Sequence, residues 1–159
     1  TRAGRLDAGV VLHLLAAGWD AAQITELVYR ESGLLGLSGI SADVRTLEAS
    51  SDPAAAFALD YFAYRINAEL GSLVAILGGL DAVVFSGGIG EHSAGVRARV
   101  LTQCARWLPL AWDPDANDRH QRVVSTSASR VRVLMIPTDE AEEMRTSALP
   151  VIEAAARSR

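Results

Sequence analysis

An α/β fold is what this 159-residue sequence predicts, and three observations carry the prediction. The stretch Asp81-Ala-Val-Val-Phe-Ser-Gly-Gly-Ile-Gly-Glu-His-Ser93 opens with a valine-rich apolar run, Ala82 to Phe85, suited to a buried strand. Gly87, Gly88 and Gly90 follow at once, and a helical pattern then runs from about Ser93 to Arg106. Farther on, the β-branched runs Val123 to Thr126 and Val131 to Ile136 read as strands, the second leading into another helix start.

The remaining elements follow in order. Thr1 to Leu6 is an extended lead-in. Asp7 suits the N-cap of a helix over roughly Ala8 to Ala17, stopped by Gly18. Asp20 with Gln23 forms a capping-box pattern for a helix to about Glu31, with Ile24, Leu27 and Val28 on one face. Ser32 to Gly39 reads as a glycine-punctuated apolar loop, and Ser41 as the cap of a short helix through Leu47. Asp52-Pro53 is a clean helix start, because proline at the first helical position has no N–H to lose. That helix continues to about Leu77 and ends at Gly78-Gly79, a length of roughly 35–40 Å at 1.5 Å per residue. Its apolar residues cover more than one face, which predicts a central or interfacial position. Trp107 to Asp118 reads as loop with a short strand at Leu108 to Trp112. Thr138 or Asp139 caps a last helix, which Pro150 kinks or splits. Two or three strands are few for a sheet, so the piece reads as incomplete.

The strand–glycine–helix stretch fits a nucleotide loop or a plain tight turn. Glycine has no Cβ to hold a ligand away from the backbone, and the first N–H groups of a helix lack internal partners. Two phosphate-binding patterns are excluded. Ser93 stands where G-x-G-x-x-G needs its third glycine, and the chain contains no lysine, so it has neither a Walker motif nor a Schiff-base lysine. Phosphate handling must rest on arginine, backbone amides or metal.

Composition narrows the class further. Half the residues are apolar and 21% are charged, ordinary for a soluble protein, and the net charge of −4 disfavours a nucleic-acid surface. Cys104 is the single cysteine, which excludes a disulfide framework and makes a cytoplasmic compartment the default. No apolar run is long enough to span a membrane, so no membrane partner is expected. The first residue is Thr1, which suggests a piece of a longer protein.

Four segments in sequence order point to a family: Thr1-Arg-Ala-Gly-Arg-Leu-Asp7, Glu31 to Arg45, Phe85-Ser-Gly-Gly-Ile-Gly-Glu91 and Ile136-Pro-Thr-Asp-Glu140. Together they resemble the carboxy-terminal part of the acetate kinase family over nearly the whole chain. The resemblance implies an actin-like, ribonuclease H-like kinase fold, of which residues 1–159 would be a partial second domain with few strands and several helices. It also implies transfer of the γ-phosphoryl of ATP to acetate, giving ADP and acetyl phosphate, with Mg²⁺ (or Mn²⁺) and a homodimer in the cytoplasm. By the same resemblance Arg2 is the catalytic arginine that binds carboxylate and phosphoryl. Asp43, Val44 and Arg45 contact nucleotide, as do Gly88, Ile89, Gly90, Glu91 and His92, and Glu140 serves the metal. His92 departs from the family's usual asparagine, Ala141 from its second glutamate, and Ala8 from a frequent proline. The amino-terminal domain and its phosphate and acid/base groups would lie upstream of Thr1, leaving half a site.

Plainer readings stand beside these. Arg2 alone is a terminal solvent charge, Glu140 an acid favoured by a helix dipole, and Asp43 with Arg45 a surface ion pair. His92 reads as a polar helix-start residue, His13 and His120 as structural or solvated, and Cys104 as a small buried apolar group. A propionate or other short-chain carboxylate kinase is the alternative within the family. A non-catalytic nucleotide-binding or dimerisation remnant is the alternative outside it.

Overall fold

The computed structural model describes residues 1–139, 142 and 144–149. In chain order these form α1 (Ala8–Ala16), α2 (Ala21–Arg30), α3 (Gly33–Ser38), α4 (Val44–Glu48), α5 (Pro53–Leu77), β1 (Ala82–Phe85), α6 (Gly87–His92), α7 (Ala94–Cys104), α8 (Pro114–Asp118) and β2 (Arg132–Met135). The two strands pair in parallel, Ala82 with Arg132 through Phe85 with Met135.

The long helix α5 organises the packing, with α3, α4 and α7 laid against it. Ala55, Ala58 and Ala63 are fully buried, so α5 meets its neighbours through short side chains that allow close approach. Leu47 and Leu59 fill the gaps between helices, each burial contributing about 1.5–3 kcal/mol. Val96, Val100, Leu101 and Cys104 of α7 join this core to Val83 of β1 and Val133 of β2. Asn67 sits inside it without an unpaired group: its amide donates to the carbonyls of Ala63 and Val100, and its oxygen accepts from the Cys104 thiol at 2.9 Å. The far end of α5 is different. Leu73, Ile76 and Leu77 are more than half exposed, so its second apolar face is uncovered among the described residues.

The helix starts follow their caps. Asp7, the Asp20–Gln23 capping box and Asp52 before Pro53 all bond the backbone N–H groups they are spaced to reach. Several expectations need correction. Within the predicted loop Ser32 to Gly39, Gly33–Ser38 is helical, because Leu34 packs on the core against α5. Asp43, not Ser41, caps α4, and the Ser41 hydroxyl accepts from Asp43 N instead. Asp113-Pro114 starts α8 inside the predicted loop with the same signal that starts α5. The strands expected at Leu108 to Trp112 and Val123 to Thr126 shrink to single antiparallel bridges, Trp112 with Ser125 and Val123 with Leu134. Serine chemistry explains part of this. The Ser129 hydroxyl accepts from Ala111 N and donates to Val131 O, taking up groups a ladder would have used. The helix expected near the end is seen at residues 144–149, and Asp139 accepts from Glu142 N in capping fashion. Pro150 lies outside the described residues.

Candidate functional site

Both parallel strands end on the same side, at Phe85 and Met135, and Ile136 N extends the pairing by donating to Phe85 O at 2.9 Å. The carboxyl ends of parallel strands are where α/β folds gather ligand-binding loops. The loop after β1 is the glycine stretch, and the loop after β2 carries Thr138 and Asp139.

The glycine stretch is itself the short helix α6 rather than an open turn. Gly87 enters it at φ +69°, a left-handed conformation that a side chain would strain. Gly88 faces open space, so a ligand can approach its backbone directly. At Gly90 an added Cβ would sit 3.4 Å from the carbonyl carbon of Phe85, in van der Waals contact with the strand end. Ile89 and His92 are exposed on the surface of the turn.

Glu91 holds the two loops together. Its Oε1 accepts from Gly87 N at 2.8 Å, from Thr138 N at 2.9 Å and from Thr138 Oγ1 at 2.9 Å. The two Thr138 bonds above all hold the carboxyl below its ordinary range, helped by Gly87 N and by His92 nearby. Glu91 is therefore a clamp acting through Oε1.

Beneath α6 lies a residue that the sequence reading missed. Arg97 is fully buried, and four oxygens accept from its guanidinium. Nη1 donates to the carbonyls of Gly90 and Glu91, both at 2.9 Å. Nε and Nη2 reach Asn117 Oδ1 and Asn117 O at 2.8 Å, and Nη2 also meets His120 Nδ1 at 3.2 Å. Burial pulls its pKa downward, and the charges of Asp118 and Glu48 pull it back up. The signal was available: Arg97 lies on the stripe of Val100, Leu101 and Cys104, a charged residue at a core position.

Asp43 and Arg45 are solvent-exposed at the head of α4. Arg45 grips Asp43 through Nη2 at 2.9 Å and Nε at 3.3 Å, while Asp43 also caps the helix by accepting from Arg45 N. That contact lowers the Asp43 pKa and raises that of Arg45. Val44 is a core residue at 6% exposure, so its side chain is unavailable and only its backbone can meet a ligand.

Arg2 is anchored rather than trailing. Thr1 O accepts from Ser32 N, Ala3 N donates to Val28 O, and the Arg2 guanidinium lies 6.0 Å from the centre of the Tyr29 ring. The backbone passes so close to Gly33 that a Cβ there would stand 2.8 Å from Arg2 O. Beside Arg2 runs a largely apolar groove of about 650 Å³, lined by residues of α3 and α5 and by the Arg5–Glu69 pair. No residue of the glycine stretch lines this groove.

Glu140, the metal candidate, lies outside the described residues. Among the described residues no group of three His, Cys, Asp or Glu could hold a metal. In the loops after the two strands, Glu91 Oε1 accepts from Thr138 and Gly87, and Asp139 Oδ1 accepts from Glu142 N. These residues therefore do not fit a protein-built Mg²⁺ cage.

The sequence profile of the acetokinase family matches residues 1–145. The chain belongs to the acetokinase family. It is 56% identical over 143 residues to an acetate kinase of Rhodopseudomonas palustris, covering 88% of this chain and 36% of that protein. The crystal structure of Porphyromonas gingivalis acetate kinase superposes with a TM-score of 0.87 at 34% identity, covering 96% of this chain and 40% of that one. A propionate kinase from Francisella tularensis gives 0.81 at 29% identity, over 88% and 37%. The acetokinase chain described here thus spans little more than a third of its relatives' length. Its fold is part of the actin-like kinase fold, with a two-stranded sheet and mostly helices around it.

Proposed function

We propose that this chain is the carboxy-terminal part of a two-domain acetate kinase, which transfers the γ-phosphoryl of ATP to acetate to give ADP and acetyl phosphate. The observation that carries the reading is the clamped glycine helix: Glu91 ties Gly87–His92 to Thr138 at the strand ends, in a stretch matched by the acetokinase profile. In this reading the open backbone at Gly88 and the exposed Ile89 receive the adenosine, with His92 at the edge. Asp43 and Arg45 form a second polar contact for the nucleotide, and Val44 contributes through its backbone only.

Arg2 is assigned to the substrate carboxylate and the moving phosphoryl, because a guanidinium is always charged and grips two oxygens at once. An acetate oxygen forms the new bond to the γ-phosphorus as the bond to the β–γ bridging oxygen breaks, and ADP leaves with that electron pair. Catalysis of this kind rests on positioning and electrostatic stabilisation. Mg²⁺ or Mn²⁺ would arrive with the ATP phosphates and would supply charge neutralisation there. Glu140 remains the proposed protein contact to that metal ion. A cytoplasmic homodimer belongs to the same proposal, and the exposed flank of α5 at Phe57, Tyr61 and Tyr64 supports the pairing. No helix among the described residues is long and apolar enough to cross a membrane.

The similarity to a propionate kinase keeps a longer acyl substrate as the second reading. Acetyl hydroxamate formation from acetate, ATP and Mg²⁺ by the complete protein tests the first, with propionate and butyrate as competitors. Preference for acetate is expected. Preference for propionate would reassign the substrate, and absence of any acyl phosphate would overturn the kinase reading. The 159-residue chain alone should give no turnover, since a misplacement of about 1 Å in phosphoryl transfer costs roughly a hundredfold.

A further inference from the structure

The two segments assigned to the nucleotide, Asp43–Arg45 and Gly88–His92, belong to different helices, and one hydrogen bond spans them. The Ser93 hydroxyl donates to Glu48 Oε1 at 2.6 Å, across forty-five residues of sequence. We propose that Glu48 is a positioning residue for nucleotide binding, clasping α4 to the start of α7 so that Asp43–Arg45 and Gly88–His92 keep a fixed relation. The proposal rests on the nucleotide reading of those segments.

Three features converge on Glu48. First, α4 has only five residues, with Asp43 at its N-cap and Glu48 as its last residue. A helix so short is about 7.5 Å long and moves as one piece. Val44 and Leu47 bury its underside. Second, Ser93 directly follows His92 and is itself 5% exposed. Its Oγ accepts from Val96 N at 3.0 Å to cap α7 while donating to Glu48, so one hydroxyl joins the end of the glycine helix, the start of α7 and the end of α4. A bond of that length to a carboxylate is in the charge-assisted range.

Third, residue 95 must be small for the carboxylate to sit there. A Cβ on Gly95 would stand 2.4 Å from Glu48 Oε1. The carboxylate therefore lies over the first turn of α7, where a negative charge is favoured. The charge of Arg97 farther along α7 also attracts it. Losing the carboxylate leaves Ser93 able to cap α7 and leaves Val44 and Leu47 in the core. The fold would persist while the relation of the two segments loosens.

The test uses the complete kinase and compares KM for ATP, KM for acetate, kcat and melting temperature. Glu48→Ala should raise KM for ATP about tenfold, the scale of one lost charged hydrogen bond, with KM for acetate within about twofold. Glu48→Gln should recover most of the loss, because its amide oxygen still accepts from Ser93. Gly95→Ala is the sharper variant. Alanine is the better helix former, so the protein should melt at or above the wild-type temperature, yet its methyl group should push the carboxylate away and repeat the ATP defect. Gly90→Val serves as the control for the nucleotide reading. If Gly90→Val weakens ATP but Glu48→Ala and Gly95→Ala do not, the clasp is overturned while that reading stands. Equal rises in both KM values with a lowered melting temperature would make Glu48 a packing residue only, which also overturns the proposal. If Gly90→Val leaves ATP untouched, the nucleotide reading falls and the clasp falls with it.

Discussion

Replacing Arg97 by methionine removes the charged centre beneath the glycine helix while keeping a long side chain in its place. Four oxygens lose a donor: the carbonyls of Gly90, Glu91 and Asn117, and Asn117 Oδ1. Each hydrogen bond from a charged group contributes about 1.5–3 kcal/mol, so the four together come to roughly 6–12 kcal/mol before offsets. Against that, methionine relieves the desolvation of a buried cation, several kcal/mol on its own. A net loss of about 3–5 kcal/mol is expected, typical of a buried network that loses one partner. For a domain of this size that is a fall of very roughly 6–20 °C in melting temperature, at about 2–4 °C per kcal/mol. Arg97→Lys should lie between, since a lysine has three donors to spread over four oxygens. Thermal melting of both variants, with ATP and acetate affinities measured below the transition, checks the reasoning. ATP should weaken more than acetate, because two of the orphaned carbonyls belong to α6. A methionine variant that melts within about 2 °C of wild type and binds ATP normally would show that the Arg97 network does not hold the glycine helix.

Three other outcomes follow from the same geometry. Gly90→Val should weaken ATP strongly and also cost stability, because a Cβ there already reaches contact with Phe85 and the methyl groups beyond it would crowd the strand end; Gly88→Val, facing open space without a left-handed φ, should weaken ATP at little cost in melting temperature. Paired affinities and melting curves on both variants separate the two, and equal melting losses would contradict the assignment. Arg2→Ala in the complete protein should cut kcat by about a thousandfold or more, with lysine a poor replacement; turnover within tenfold of wild type would remove Arg2 from the mechanism. The pKa of Glu91 is lower in the folded chain than in the unfolded one, so its contribution is fully present above the ordinary carboxylate range and is lost as pH falls through the depressed value. ATP affinity should accordingly decline at the acid end of that range, and Glu91→Gln should flatten the decline; an unchanged acid limb in the glutamine variant would assign it to another group.

What the sequence revealed was local. Caps at Asp7, Asp20 and Asp52 are side chains bonding to N–H groups two or three residues away, and strand β1 is a compact valine run, so both were legible without tertiary knowledge. Asp113-Pro114 carries the same signal, but the apolar periodicity around it is too weak to mark a helix. Val44 shows the limit of transfer by motif. It belongs to a matched segment, yet its side chain faces the core. Helix α3 and the reduction of two strands to bridges were not legible, since the first depends on α5 being present and the second on the Ser129 hydroxyl reaching Ala111. The clamp by Glu91 joins residues forty-seven apart, and the Arg97 network joins residues twenty or more apart to its own turn. Pairings of that kind have no sequence spacing to betray them. The clue that did exist was chemical: an arginine among the valines and leucines of α7 has to find acceptors somewhere.

The two long-range side chains also explain why the glycine helix can exist. Six residues, three of them glycine, are far below the length at which a helix holds itself together, and each glycine costs about 1 kcal/mol relative to alanine. Such a helix also leaves donors free at its start and acceptors free at its end. Glu91 answers the first problem by taking up Gly87 N, and Arg97 answers the second by taking up the carbonyls of Gly90 and Glu91. Gly88 can then stay bare on the exposed side, since the rigidity comes from beneath and from the neighbouring loop rather than from helix propensity. A surface made this way is already ordered before a ligand arrives, so binding need not offset the entropy of forming it. That division of labour, with permissive residues facing outward and committed polar partners underneath, is the physical reason a stretch so poor in helix formers can serve as a fixed platform.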